Sequence, residues 1–438
     1  MAQISDTPAF NLKVVLQETG IKPDTIRAWE RRYGLPEPER TTGGHRLYSQ
    51  RDIEMIKWLM ARQEEGLSIS RAIDLWRSYE AEGQDPLDEQ ALPASDITVP
   101  PKASFAIGAA LDEIRQLWVE ACLVFDEFRA EAILAQAFAI YPTEIVCIEV
   151  LQKGISKIGQ RWYLGKVSVQ QEHFATALSL RKLNTLISAC PPPYQKEKII
   201  VACPPEEDHT FSALFITLTL RQHGWPVIYL GANVPLQELK ETIANLQPKL
   251  LVLPAQQLHT AARLAEVARE IKNQVRIAYG GLIFNLNPEI RTYIPGYFVG
   301  EDLGSAVQAL ETLIRQASPP PTGLVPSEEY QAALGHFQDQ KAALEAKTWQ
   351  ELANNGIARQ HLEIASHHLT QDIEAALSLG DIHFLENEIH WLEKLLENYG
   401  VPISSLQYFL NAYRSAAEQE LDHRGKIVIE WLASITQS

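Results

Sequence analysis

The chain has 438 residues, 46% of them apolar and 21% charged, which is the composition of ordinary globular protein and the length of several domains. Its formal net charge of −16 excludes a protein that coats nucleic acid over its whole surface. No apolar run approaches the roughly 18 residues that a membrane-crossing helix needs, and the opening MAQISDTPAF has neither the basic start nor the apolar core of a signal peptide. Cys122, Cys147, Cys190 and Cys203 stand far apart within apolar runs, without CxxC or Cys/His zinc spacing. They therefore read as reduced core residues of a cytoplasmic protein.

The acidic excess is unevenly spread. Residues 1–80 hold twelve Lys/Arg against twelve Asp/Glu, and residues 22–51 hold Lys22, Arg27, Arg31, Arg32, Arg40, Arg46 and Arg51 against Asp24, Glu30, Glu37 and Glu39. A basic patch on an acidic body directs DNA to one face and repels it elsewhere. The segment LKVVLQETGIKPDTIRAWERRYG predicts a helix–turn–helix, with Val14, Val15, Leu16, Ile21 and Ile26 as its core, Gly20 in the turn and Asp24 capping the second helix. Arg27, Arg31 and Arg32 then fall on or near the exposed side. In the following PERTTGGHRLYSQRDIEMIKWL, Gly43-Gly44 suits a two-residue hairpin turn, giving a small wing that carries His45, Arg46 and Tyr48. The alternative for TIRAWERRYG is a surface helix with solvated arginines.

Thr25, Ile26, Arg27, Trp29 and Glu30, then Pro38 and Arg40, then Gly44, Arg46, Leu47, Tyr48 and Asp52 make residues 10–78 resemble the MerR family of winged-helix regulators. The resemblance implies a DNA-binding domain over 10–80 in which Arg27, Trp29, Arg40, Arg46 and Tyr48 contact double-stranded DNA, chiefly its phosphates. Arg31 and His45 join them by position. Phosphate contacts set affinity, whereas base edges and bending set sequence choice. One such unit buries little DNA surface, so a homo-oligomer, dimer or tetramer, on repeated half-sites is expected.

A proline-rich linker at about 81–103 precedes residues 104–190, where FAIGAALDEIRQLWVEACLVF, AEAILAQAFAIY and TEIVCIEVLQKGISKIG carry apolar residues at helical spacing and predict a four-helix bundle. Ser168 with Gln171 fits a capping box, placing Glu172 and His173 in the first turns of the last helix. After the break CPPPYQK, residues 197–316 change rhythm. KIIVAC, PVIYL, KLLVL, VRIAY and YFVG are short apolar runs separated by helical stretches at about 210–223, 236–245, 258–272 and 303–315. This alternation predicts a Rossmann-like α/β domain with a parallel sheet. Ligands bind such sheets at the strands' carboxyl ends. His209 follows the first strand, Pro254 and Gln256 the third, and Gly280-Gly281 the fourth.

A corrinoid needs a nitrogen below its cobalt, a slot for its nucleotide tail and a cap above. His209 can supply the nitrogen, with Glu207 orienting it. Gly280 and Gly281 allow close backbone approach. Trp162, Glu172 and His173, within WYLGKVSVQQEH, can form the cap. Singly these residues also fit bland roles: His209 as a solvent-facing loop residue, Trp162 as core, Glu172-His173 as an exposed helix start. Residues 104–316 resemble a cobalamin-binding module, and with the MerR-like head residues 10–316 resemble the CarH/LitR group of photoreceptor repressors. That resemblance implies adenosylcobalamin holding a DNA-binding oligomer in the dark and light releasing the DNA. It makes His209 the lower cobalt ligand, with Trp162, Glu172 and His173 around the upper adenosyl group. Three positions depart from the group's pattern. Tyr163 stands where a His usually follows the Trp. The usual DxHxxG becomes Glu207, His209 and Ser212. Pro254 replaces the Ser that usually follows the third strand.

After a second linker at 317–326, residues 327–438 extend beyond that group's length and predict an all-α C-terminal domain, with EAALSLGDIHFLENEIHWLEKLLENYG as an amphipathic stretch. Its His336, His361, His367, His368, His383, His390 and His423 form no i, i+4 metal pair. The expectation is a packing or oligomerisation domain with surface histidines. The alternative is a pocket for a biliverdin-type bilin, held without a thioether because the segment has no Cys. No Ser/His/Asp, paired-acid or phosphate-loop pattern points to catalysis. The competing functions are a cobalamin-gated regulator, a regulator sensing another tetrapyrrole, a cofactor-free scaffold and a corrinoid methyl-transfer carrier.

Overall fold

In the computed structural model, which describes residues 5–40, 46–64, 69–81, 85–87, 110–316, 319–354, 362–386, 389, 392–393 and 403–436, the chain divides into two units, 1–100 and 101–438. In the first, strand β1 (Phe10–Asn11) leads into helices α1 (Leu12–Thr19) and α2 (Pro23–Tyr33). Gly20 and Gly34 end the two helices in the left-handed region, at φ 69° and 70°, a conformation that costs other residues more. Pro23 occupies the first helical position after Lys22, so Asp24 lies inside the first turn and is not the cap. Strands β2 (Glu39–Arg40) and β3 (Arg46–Tyr48) and helices α3 (Gln50–Glu64) and α4 (Ile69–Ala81) complete the unit. Its core gathers Val15, Ile21, Ile26, Trp29, Tyr48, Ile53, Ile56, Leu59 and Trp76. Val14 and Leu16, expected there, are only half-buried.

The hairpin register corrects one expectation. A two-residue turn at Gly43-Gly44 would pair Arg40 with Leu47. Instead Arg40 faces Arg46 and Glu39 faces Leu47, leaving an odd number of residues between the paired ends. Residues 41–45, including His45, lie outside the described residues.

The second unit opens with a helical bundle: α5 (Leu111–Leu123), α6 (Glu127–Ile140), α7 (Thr143–Val146) running through a π-helical turn at Cys147–Gln152 into α8 (Lys153–Tyr163), and α9 (Val169–Ser188). Ser168 and Gln171 cap α9 reciprocally. A five-stranded parallel sheet follows, with β4 (Ile199–Val201), β5 (Val227–Tyr229), β6 (Leu250–Pro254), β7 (Arg276–Gly280) and β8 (Tyr297–Phe298) in the order β5-β4-β6-β7-β8. Helices α10 (Phe211–Gln222), α11 (Leu236–Leu246), α12 (Leu258–Ile271), the short α13 (Ile283–Leu286) and α14 (Leu303–Arg315) connect and flank the strands. Successive side chains on a strand point to opposite faces. Ile199, Val201, Leu250 and Val252 accordingly join a core shared with α10, α14 and the bundle. Ile200, Leu251, Leu253 and Ile277 join a different core on the other face.

That second core continues without a break into the C-terminal segment: α15 (Glu328–Asn354), α16 (Glu363–Leu379) and the helices Ile403–Glu420 and Lys426–Thr436. Helix α12 is buried nearly all round because α16 covers the side that the sheet does not. Where a linker and a separate domain are expected, Leu324 N donates to the Thr292 carbonyl at 2.8 Å and Gly323 packs against Pro295. The amphipathic stretch from residue 374 is not one helix. Gly380, at φ 96°, caps α16, and a 3-10 turn follows at Ile382–Leu385. Nor are the histidines all on the surface: His336 is buried, and its Nε2 accepts a hydrogen bond from Asp422 N at 3.0 Å. His361 and His390 lie outside the described residues. Among the described residues no helix is long and apolar enough to cross a membrane.

Removing residues 317–438 should therefore expose the outer side of α12. The truncated chain is expected to melt at a lower temperature and to bind a hydrophobic dye. Equal melting without dye binding would contradict the shared core.

Candidate functional site

The strand order reverses at β4, which lies between β5 and β6, so the loops leaving β4 and β6 diverge and open a crevice at the carboxyl edge. The loop after β4 is built around a buried carboxylate. Glu206 and Asn233 both take left-handed backbone conformations, at φ 69° and 49°. Asn233 Oδ1 accepts from Glu206 N at 2.9 Å, and Asn233 N donates to the Glu207 carbonyl at 3.1 Å. Glu207 is turned fully inward at 0% exposure. Its Oε1 accepts from His209 N and meets His209 Nδ1, each at 2.8 Å. Its Oε2 accepts from Gln256 N at 2.7 Å and from the Thr260 hydroxyl at 2.8 Å.

A carboxylate each of whose oxygens takes two hydrogen bonds is compensated for lost hydration. Burial pushes the Glu207 carboxyl up, but the hydrogen bonds and charge of His209 outweigh it and hold the group below its ordinary value. In return, the bond to Glu207 raises the His209 imidazole above its own. Engagement of Nδ1 fixes the ring and leaves Nε2 for an incoming ligand, and the side chain is 59% exposed. Thr260 escapes a reading based on motif spacing alone. Its signal is its place in the first turn of α12, three residues after Gln257, with which it forms a reciprocal cap.

Beside the loop, Gln256 Nε2 donates to Ser212 Oγ at 3.5 Å, and Leu282 N donates to Gln256 Oε1 at 3.2 Å. From these residues a cleft of about 200 Å³ runs between the sheet edge, α10, α14 and the bundle, lined by Ser212, Ile216, Val252, Pro254, Gly280, Val299, Leu303, Gln152 and Ser156. Gly280 lines it, and an added Cβ there would only touch Val299 at 3.4 Å. Gly281 answers to a different constraint than expected. At φ 127°, a Cβ would stand 1.8 Å from the Ala255 carbonyl oxygen, so the protein backbone itself requires glycine.

The bundle end that carries the α8–α9 connection supplies the remaining residues. Trp162 is half-buried against the bundle core. Glu172 accepts from the Thr176 hydroxyl at 2.7 Å and meets His173 Nδ1 at 2.8 Å. The Glu172 charge adds to the upward shift of the His209 imidazole, after the larger effect of Glu207. The His173 side chain is 73% exposed. Among the described residues no group of three or more His, Cys, Asp or Glu is placed to hold a metal ion.

In the N-terminal unit, Arg27, Arg31, Arg32 and Arg40 are exposed. Trp29 and Tyr48 are not available to DNA. Trp29 is 5% exposed, because it lies in the core cluster with Val15, Ile26 and Ile56. Tyr48 is 0% exposed, and its hydroxyl donates to Glu30 Oε1 at 2.7 Å. Glu30 Oε2 also accepts from Arg46 Nε at 2.9 Å. Burial and the Glu30 bond push the Tyr48 phenol up. Glu30 thus joins α2 to β3 and orients the Arg46 guanidinium.

Two outcomes are expected. Trp29→Ala should destabilise the N-terminal unit by about 3–5 kcal/mol, the cost of emptying an aromatic site in a core, as read by thermal unfolding. In the ligand-free protein, His209 should titrate above the ordinary 6.5, and Glu207→Gln should bring it down, as followed by imidazole NMR shifts. By linkage, the stability from this raised value is fully present below pH 6.5 and lost as pH rises through the folded-state value.

Comparison with known proteins agrees with this architecture. Residues 10–78 match the family described as MerR HTH family regulatory protein. Residues 108–187 and 197–310 each match a family described as B12 binding domain. The chain is 30% identical over 269 residues to the HTH-type transcriptional repressor CarH of Myxococcus xanthus, covering 61% of this chain and 85% of that one. It is 28% identical over 247 residues to the repressor CarA of the same organism, covering 56% and 75%. Among solved structures, the monomethylamine corrinoid protein of Methanosarcina barkeri is 16% identical with a TM-score of 0.39, over 46% of this chain and 97% of that one. With a MerR-type head joined to a two-part B12-binding module, and a relative at this identity matched over most of its length, the chain belongs to the family of CarH transcriptional regulators.

Proposed function

We propose that this protein is a cytoplasmic DNA-binding repressor gated by cobalamin, with His209 as the lower cobalt ligand and adenosylcobalamin as the light-responsive form. The single observation that carries the reading is the Glu207–His209 pair, in which a buried carboxylate engages Nδ1 and leaves Nε2 for a metal. The residues fit the group. The crevice beside His209 is open, and the adjoining cleft of about 200 Å³ suits a heteroaromatic nucleotide tail. That volume is below the ~300–1,000 Å³ of pockets that take a whole drug-sized ligand, so the larger ring belongs in the open crevice. Bound adenosylcobalamin supplies a cobalt–carbon bond that light can break.

In this reading each residue has a stated task. Glu207 holds the His209 ring so that ligation costs no reorientation. Ser212 and Gln256 line the mouth of the tail cleft. Ser212 adds bulk where the group usually has Gly, and Pro254 removes the hydroxyl of the usual Ser and with it one hydrogen bond to the tail. Trp162 closes the upper side with an apolar ring, while Glu172 and His173 offer acceptor and donor groups to an upper ligand. Tyr163 replaces the imidazole that could take a vacated cobalt position, so the state after light is expected to lack a second histidine ligand. Exposed Arg27, Arg31 and Arg40, with Arg46 held by Glu30, supply the phosphate contacts. Binding to repeated half-sites calls for a homo-oligomer.

Purification in the dark with adenosylcobalamin, followed by spectra before and after green light, tests the reading. Corrinoid bands that change on illumination are expected. His209→Ala should lose tight retention of the cofactor, and unchanged retention and spectrum would remove His209 as ligand. A colourless protein would favour a scaffold, and a red-absorbing product with biliverdin would favour a bilin sensor. Arg46→Ala should weaken DNA binding at fixed salt without changing colour, as judged by mobility shift.

A further inference from the structure

The loop that carries His209 is held from behind by the C-terminal segment. Two routes connect them. On one, Glu206 Oε1 accepts from Arg263 Nε at 3.0 Å, Arg263 Nη1 contacts Glu266 Oε2 at 3.1 Å, and Glu266 Oε1 accepts from Ser378 Oγ at 3.2 Å. Ser378 lies in the last turn of α16, and its carbonyl oxygen accepts from Arg269 Nη1 at 3.4 Å. On the other route, Asp372 of α16 lies with its Oδ1 3.8 Å from His259 Nδ1. His259 precedes Thr260, whose hydroxyl bonds Glu207. His259 and Asp372 are buried at 9% and 4% exposure. The half-exposed Arg263 pairs are weak taken singly. His259, Asp372 and Ser378 are themselves buried, and both routes converge on Glu206 and Glu207.

We propose that helix α16 is a positioning element for the axial-ligand loop, with Ser378 and Asp372 as the positioning residues that hold α12 and thereby fix the Glu206–Glu207 corner and the His209 ring. The inference rests on the reading of His209 as cobalt ligand and extends it to a segment beyond residue 310, where the B12 binding domain match ends. Physically, α12 presents Thr260 to Glu207 on one side and His259 to α16 on the other. A small rotation of α12 would lengthen the Thr260–Glu207 bond and loosen one of the four contacts that hold the carboxylate orienting the imidazole. A shape change in the C-terminal segment would then be transmitted to the metal ligand.

The test uses the full chain loaded with cobalamin in the cobalt(II) state. Electron paramagnetic resonance reports whether a nitrogen sits below the metal, through its superhyperfine splitting. Transfer of cobalamin to excess scavenger reports release. Ser378→Ala, Asp372→Asn and the double variant should leave the ligand-free protein folded, release cobalamin about threefold to tenfold faster, the range for one lost hydrogen bond, and convert part of the signal to the form without nitrogen splitting. Ser378→Thr, which keeps the hydroxyl, should restore the wild-type signal. Wild-type splitting and release in the double variant, alongside loss of splitting in His209→Ala, would overturn this inference and leave the ligand assignment standing. Unchanged splitting in His209→Ala would overturn the ligand assignment and the inference with it. Should the double variant not fold, Ser378→Ala carries the same two outcomes.

Discussion

The buried carboxylate of Glu207 is the constraint around which the second unit is organised. An isolated ionised carboxylate in a protein interior would be costly, and protonation would relieve that cost. Here the chain surrounds it with donors from three places: the His209 backbone and ring, the Gln256 backbone at the end of β6, and the Thr260 hydroxyl at the start of α12. The loops after two neighbouring strands are thereby pinned to one another. The imidazole inherits a fixed orientation from a residue that is itself fully buried.

The parallel sheet separates two layers of the second unit. One face carries α10, α14 and the helical bundle, and with them the cleft. The other carries α11, α12 and the C-terminal helices. Alternation along β4 and β6 sends Ile199 and Val201 to the first core and Ile200 to the second. A disturbance on either face reaches the same carboxyl edge, because α10 begins directly after His209 and α12 begins beside Gln256. A parallel sheet with a ligand at its switch point is in that sense a shared floor for two layers.

Glu30 plays a comparable part in the N-terminal unit. It lies in α2, bonds the Tyr48 hydroxyl in the core and orients Arg46 on the strand. An arginine held by a carboxylate gives up part of its charge to that contact but is preorganised for a planar, bidentate partner. Arg27, Arg31 and Arg40 are exposed, Arg27 beside Asp24 of its own helix.

Much of this was readable in the chain itself, and the reason is local. Helical and alternating periodicities, the Ser168–Gln171 cap and the turn glycines are set by neighbours within a few residues, so the strands, the helices and the placement of His209 after β4 followed from the sequence. Trp29 and Tyr48 were misread as DNA-facing because a motif gives a residue's place in a row and not the direction of its side chain. The hairpin register, the reason for glycine at Gly281, Thr260 as the partner of Glu207 and the packing of α16 on α12 depend on residues far apart in sequence. Periodicity says that a helix has an apolar face, but only the folded chain decides what covers it. The sequence by itself therefore determined the elements and the place of His209 in the loop after β4. The tertiary structure decided which distant side chains hold that histidine in place, since burial and hydrogen-bond geometry arise only when those segments meet.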